Sequence, residues 1–177
     1  MNPGPTPPPP PLIRPGTAAD VPALLPMVRS LIDLHRQWDA PRFDTVPHVL
    51  EMYRRWLPER AVDPESVLLV AESAATSAAP GQALLGFIVA QVQDNIPIYT
   101  TARYGWVHDL WVEPHARGRG VATALLTTCV HRLHAIGCTQ VRGETAHANH
   151  ASRALLTRLG WRATAVEMQM DLSAGWG

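Results

Sequence analysis

Apolar residues recur along this chain with two different periods. Residues 66–72 and 84–93 are near-continuous runs of Val, Leu, Ile, Ala and Phe, and 106–112 is apolar-rich with β-branched Val107 and Val112; runs of this length predict strands. In 139–145, Val141, Gly143 and Thr145 alternate with Gln140, Arg142 and Glu144, the two-residue period of a half-buried strand. A short first strand is expected at 12–14 and a last one at 162–172. Elsewhere the spacing is helical. Val21, Leu24, Leu25, Val28, Leu31 and Ile32 make one stripe, capped by Thr17 and Asp20 and kinked or delayed by Pro26. Leu50, Tyr53, Trp56 and Leu57 make a second, opened by Thr45 and ended by Pro58. Val121, Ala122, Leu125, Leu126, Cys129, Val130 and Leu133 make a third, ended by Gly137. A fourth helix spans 149–159. The resulting order is β-α-α-β-β-β-α-β-α-β, an α/β arrangement in one domain over 12–172. A proline-rich tail, 1–11, precedes it and a short tail, 173–177, follows; an Ala/Ser-rich surface loop is expected at 73–82.

The segment between the 106–112 strand and the third helix carries the chemistry. Glu113-Pro114 ends the strand, and Arg117-Gly118-Arg119-Gly120-Val121-Ala122 opens the helix. A helix that begins in glycines leaves backbone N–H groups free and keeps side-chain bulk away from a ligand. Its dipole adds roughly half a positive charge, so such a terminus suits phosphate. Arg117 and Arg119 add full charges beside it. A P-loop would need Gly-Lys-Ser/Thr where this chain has Gly120-Val121-Ala122. A dinucleotide fold would need Gly-x-Gly-x-x-Gly early in a βαβ unit, and this motif lies two-thirds of the way along the chain.

Composition narrows the classes further. The 177 residues hold 15 Lys+Arg and 15 Asp+Glu, for a formal net charge of zero, with no basic run that would favour nucleic acid. No apolar run approaches the roughly 18 residues needed to span a membrane, and no basic-then-apolar leader is present at Met1. Cys129 and Cys138 fit neither a disulfide framework nor a metal motif. A cytoplasmic setting and no metal are the expectations.

The stretch resembles the GCN5-related N-acetyltransferase (GNAT) family. That family carries Arg/Gln-x-x-Gly-x-Gly/Ala, met here by Arg117, Gly120 and Ala122, and an asparagine-opened helix closed by Gly-aromatic, met by Asn149 and Gly160-Trp161. The resemblance covers roughly residues 12–172. It implies the GNAT fold: a central mixed, mostly antiparallel twisted sheet, helices on both faces, and a V-shaped splay between the fourth and fifth main strands. It implies acetyl-CoA as cosubstrate, with pantetheine paired to backbone groups of Leu110 and Val112 around Trp111. The pyrophosphate would lie on Gly118, Arg119, Gly120, Val121 and Ala122, and Asn149 and Ser152 would lie at the pantetheine end. The implied activity is direct acetyl transfer to a primary amine of a small molecule. The alternatives are a non-catalytic acetyl-CoA-binding module and transfer to another acceptor such as a protein amine. A homodimer is also expected.

Amines with pKa near 8–10 arrive protonated, so a base is useful. His108 is the first candidate, with a side chain that titrates near neutrality. Asp109 is its rival, because neighbouring strand side chains point to opposite faces unless a bulge intervenes. Glu144 is the third. The acceptor side is expected among the first two helices and their connection, with His35, Trp38, Asp39, Phe43 and Asp44. One departure stands out: Leu156 occupies the position at which many family members carry a tyrosine acid.

Overall fold

The structure, a computed structural model, describes residues 10–73 and 84–172. Residues 1–9 of the proline-rich tail, most of the 73–82 loop and the 173–177 tail lie outside the described residues. Its elements are β1 (Leu12–Pro15), α1 (Val21–Trp38), α2 (Ala40–Phe43), α3 (Val49–Val62), β2 (Ser66–Glu72), β3 (Leu84–Asp94), β4 (Arg103–Val112), α4 (Val121–Ala135), β5 (Val141–Gly143) and α5 (His150–Arg158). Five strands form one sheet in the order β1-β2-β3-β4-β5. The first four pair antiparallel and β5 joins β4 in parallel.

The continuous apolar runs of β2 and β3 follow from burial on both sides. Val67, Leu69, Ala71, Ile88 and Ala90 pack beneath Leu125, Leu126, Cys129 and Leu133 of α4. Leu68, Val70, Phe87 and Val89 pack beneath Leu24, Val28 and Leu31 of α1 and Leu57 of α3. Both cysteines are buried and free, and Cys129 is part of the α4 packing. Among the described residues no helix is long and apolar enough to cross a membrane.

Local chemistry sets where α1 begins. Thr17 donates its backbone N–H and its hydroxyl to Asp20 Oδ2 (2.8 and 2.9 Å). The Arg14 guanidinium spans both Asp20 oxygens (2.8 and 2.7 Å) and reaches Glu72 Oε1 of β2 at 2.6 Å. Asp20 is 3% exposed, and this network holds its carboxyl below the usual range, chiefly through Arg14. It pins the start of α1 to the sheet, and so fixes where Leu31 and His35 arrive two to four turns later.

Several expectations are corrected. Pro26 does not delay α1, which begins at Val21 and runs through it to Trp38. The second long helix begins at Val49 after a turn at His48, not at Thr45. Pro58 does not end that helix, which continues to Val62 with Asp63 N–H still bonded to Glu59 O at 3.0 Å. Burial of Leu57 against α1 outweighs the one backbone bond that proline forfeits. The 139–145 strand is ordered as a strand only over Val141–Gly143. Residues 162–172 form no strand: alternation supplies the pattern but the segment has no sheet partner, and Val166, Met168, Met170 and Leu172 are exposed.

Asp20→Ala tests the α1 anchor. It should destabilise the fold by about 2 kcal/mol at pH 7 in urea unfolding, less than a fully buried pair because Arg14 is partly exposed and keeps Glu72. The Asp20 carboxyl is depressed in the folded state, so its contribution is complete above the unfolded pKa and is lost as pH falls below about 4. The gap between variant and wild type should therefore narrow in acid. Equal stability at pH 7 would contradict the anchor.

Candidate active site

The site is created by one extra residue in β4. Val89 pairs with Asp109, but the next residue, Ala90, pairs with Val107, so His108 is bulged out of the register. The backbone records the same shift. Gly105 N–H donates to Gln140 O beside β5 (2.9 Å), whereas Glu113 N–H donates to Leu85 O beside β3 (2.8 Å). These residues are an even number of positions apart and would face one edge in a regular strand. Past the bulge, Asp109 and Trp111 therefore face β3, and the N–H and C=O groups of Leu110 and Val112 turn to the opposite edge. There β5 pairs only with Gly105, Trp106 and Val107 and then departs. The result is a wedge-shaped opening between β4 and the chain after β5.

The bulge also changes the side chains. His108 and Asp109, consecutive in a strand, now both face α3. The Asp109 carboxylate accepts a bond from Tyr53 Oη at 2.9 Å. The His108 ring packs edge-on against Trp56, with centroids 5.2 Å apart. Tyr53 and Trp56 are one helical turn apart and touch each other, so one face of α3 meets both bulge residues. Burial pushes the Asp109 carboxyl up to about 6, against the lowering effect of the Tyr53 bond. His108 is held below its ordinary value, first by partial removal from water and then by the charge of Arg60.

The cleft wall is completed by Leu31 and His35 of α1, Leu126 of α4, Gly143, Glu144 and Thr145 after β5, and Asn149, Ser152 and Leu156 of α5. His35 stacks on Phe43 at 4.9 Å and touches Trp38 at 5.4 Å; Asp39 caps α2, and Asp44 pairs with Arg36 at 3.3 Å. Glu144 is tied to Arg42 of α2 (3.1 Å), which also holds Glu167 (3.0 Å), so this third base candidate sits on the rim in an ion pair. Asn149 Oδ1 accepts Ser152 N–H at 3.0 Å and caps α5. The helix closes with Gly160 at φ 85°, Gly160 N–H to Thr157 O and Trp161 N–H to Leu156 O, both 3.0 Å. This closure packs Trp161 beside Leu156 in the cleft wall. Thr145 Oγ1 is buried with no hydrogen-bond partner among the described residues.

At the far end, Gly118 (φ 73°) and Gly120 (φ 80°) occupy the left-handed region, and Gly120 is the residue that opens α4. Side chains rarely adopt that conformation, which accounts for glycine at both places. The first-turn N–H groups of α4 point out of the helix without a side-chain cap. Arg117 is drawn back to the strand: its Nε donates to Val112 O at 3.0 Å and its guanidinium lies 4.8 Å from the Trp111 ring centre. Trp111 itself is buried on the α1/α3 side of the sheet. Arg119 is exposed beside the helix start.

Thus the structure brings His108, Asp109, Leu110, Glu144, Asn149 and Ser152 to one cleft, and sets residues 118–122 at the start of the helix that forms its wall. Thr145 also lines the cleft, and Tyr53 and Arg42 lie behind it, bonded to Asp109 and Glu144; none of the three stood out in the sequence as a site residue. Tyr53 carried a signal: a tyrosine on an apolar helical stripe brings a hydroxyl that needs a partner when buried.

The His108 environment makes a measurable prediction. Its imidazole should titrate below 6.5 by NMR and be neutral at pH 7. Trp56→Ala should raise the midpoint by admitting water to the ring. A wild-type midpoint at or above 6.5 would contradict this packing.

A model of the Acetyltransferase (GNAT) family matches residues 30–161. The chain is 29% identical over 153 residues to phosphinothricin N-acetyltransferase of Streptomyces coelicolor, covering 85% of this chain and 81% of that protein. Among solved structures it is similar to a predicted acetyltransferase from Clostridium acetobutylicum solved with acetyl-CoA (TM-score 0.69, 18% identity, 94% of this chain and 99% of that one). It is also similar to an aminoglycoside antibiotic 6'-N-acetyltransferase from Acinetobacter haemolyticus (TM-score 0.65, 16% identity, 93% and 99%). With a family match over most of its length, and with the splayed sheet and glycine-opened helix in place, the chain belongs to the Acetyltransferase (GNAT) family.

Proposed function

We propose that this N-acetyltransferase uses acetyl-CoA to acetylate the primary amine of a small molecule. The observation that carries the reading is the bulge at His108. It turns the Leu110 and Val112 backbone toward the open edge of β4 and places two proton acceptors on the adjoining wall. The Leu110 N–H and C=O and the Val112 N–H would pair with the amides of a pantetheine arm, the Val112 C=O being taken by Arg117, and the buried Thr145 hydroxyl offers a further bond in the same cleft. The free N–H groups at Gly118, Arg119, Gly120, Val121 and Ala122 suit the pyrophosphate, with Arg119 beside them. Asn149 and Ser152, joined by the cap of α5, line the same cleft and would contact the pantetheine arm.

The acceptor enters from the side of α1, α2 and α3. Its ammonium must lose two protons over the reaction. One leaves before the nitrogen can attack, and the second leaves as the C–N bond forms and the C–S bond breaks with its electron pair on sulfur. One proton then ends on the departing thiolate and one is released. Asp109 and His108 provide two acceptors for these two protons, both open for business near neutrality: a carboxylate ionised above about pH 6 and an imidazole that is neutral at pH 7. Glu144, held by Arg42, contributes charge at the rim. Leu156 cannot donate a proton to the leaving thiolate; water or another cleft group supplies it, or the acid is dispensable, because a thiol with an ordinary pKa near 8.5 is a fair leaving group without help.

We further propose a homodimer in a cytoplasmic setting. The 162–172 segment alternates, with Glu167 bonded to Arg42 of its own chain while Val166, Met168, Met170 and Leu172 are 69–86% exposed. An exposed apolar face of this kind supports the reading, because a second copy would cover it. Light scattering at micromolar concentration should return twice the 19.4 kDa chain mass; a monomer mass would refute it.

The catalytic reading is tested by CoA release with a panel of amines. Gly120→Glu places a carboxylate at the pyrophosphate position and should weaken acetyl-CoA binding at least tenfold by calorimetry, about 1.4 kcal/mol or more. His108→Ala and Asp109→Asn should each lower kcat by about 10²-fold with acetyl-CoA affinity nearly unchanged. Acetyl-CoA binding without turnover of any amine would favour a binding module instead.

A further inference from the structure

Tyr53 stands on α3, on the side of the sheet that His108 and Asp109 face, and its hydroxyl is hydrogen-bonded to the Asp109 carboxylate. A buried tyrosine hydroxyl needs a partner, and the partner it has here is a carboxylate that lines the cleft. Here the hydroxyl is 2.9 Å from Asp109 Oδ2, and Asp109 also lines the cleft. The bulge makes this possible: it rotates Asp109 toward α3 and sets it next to His108. We propose that Tyr53 is the positioning residue of the acceptor half of the site, holding one oxygen of the Asp109 carboxylate so that the other takes the first proton of the acceptor ammonium. The inference rests on the acetyltransferase reading above.

The chemistry of the pair supports this division of labour. Burial and the neighbouring carboxylate push the Tyr53 hydroxyl above its ordinary range, so it stays protonated and always donates. A permanent donor stabilises the charged form of Asp109 and offsets part of the burial that raises it. The proton moves from the ammonium nitrogen to Asp109: one N–H bond breaks, one O–H bond forms, and a neutral amine and a neutral carboxylic acid result. Tyr53 neither gains nor loses a proton. The other ionisable groups around Asp109 are His108 on β4, His35 from α1, Arg60 from α3 through its effect on His108, and Glu144 beyond β5 paired with Arg42 of α2. The group hydrogen-bonded to the Asp109 carboxylate is Tyr53.

Tyr53→Phe removes the hydroxyl and keeps the ring against Trp56. The experiment measures kcat/KM against pH for wild type and variant by CoA release, with an acceptor from a panel of phosphinothricin, an aminoglycoside and spermidine. Acetyl-CoA affinity is measured by calorimetry, and the Asp109 carboxyl is titrated by carbon NMR with Asp109→Asn as the assignment control. Without the donor the Asp109 midpoint should rise above its wild-type value of about 6. The acid limb should move with it, leaving the variant about fivefold slower at pH 6 and within twofold of wild type at pH 9, with acetyl-CoA affinity unchanged. A purely structural loss would lower the rate at every pH, and that result, or an unmoved acid limb and midpoint, overturns the role of Tyr53 while leaving the acetyltransferase reading intact. A wild-type protein that turns over no amine in the panel overturns the acetyltransferase reading, and this inference with it.

Discussion

One extra residue in one strand governs the site. A regular β4 would send the same alternate side chains to α3 along its whole length and the same alternate backbone groups to β5. The bulge at His108 reverses both phases halfway along. Before it, Gly105 bonds toward β5; after it, Glu113 bonds toward β3. Leu110 and Val112 are therefore turned to an edge where β5 no longer follows, and His108 and Asp109 share a face. Bulges bend a strand and re-aim side chains at the cost of unpaired backbone, and this one does both at the point where the sheet opens.

The rest of the fold holds that opening in place. β4 is braced by the longest pairing in the sheet, from Asp94↔Arg103 to Gly86↔Val112. Leu125, Leu126 and Leu133 of α4 fill one side of the sheet, and Phe87, Val89 and Trp111 fill the other beneath α1 and α3. The two helices packed over the His108–Asp109 side of the sheet are anchored separately: α1 by the Arg14–Asp20–Glu72 network and α3 by buried Leu57. Arg117 clamps the strand end to the glycine turn through Val112 O and the Trp111 ring, which ties the open edge to the helix terminus.

Much of this was legible in the residues. The alternation and helical stripes located β2, β3, β4, α1 and α4, and Gly118 and Gly120 revealed a helix entry that requires left-handed backbone. Boundaries governed by tertiary packing were not legible: Pro58 inside α3 is tolerated because Leu57 is buried there, and 162–172 has the period of a strand without a neighbour to pair with. The sequence also posed a choice between His108 and Asp109 that it could not resolve, because a bulge depends on how β3 registers against β4 and leaves no local signature here. Tyr53 was visible as a member of an apolar stripe, but its partner lies 56 positions away in the chain.

Amide hydrogen exchange of β4 tests the central claim most directly. In the free protein Leu110 and Val112 N–H face the open edge and should exchange readily, while Trp111 N–H, directed at β3, should be protected. On saturation with acetyl-CoA, the Leu110 and Val112 amides should slow by about tenfold or more and Trp111 should change little. Protection of Leu110 and Val112 already in the free protein, or exchange unaltered by acetyl-CoA, would contradict the bulged, splayed strand as the seat of cosubstrate binding.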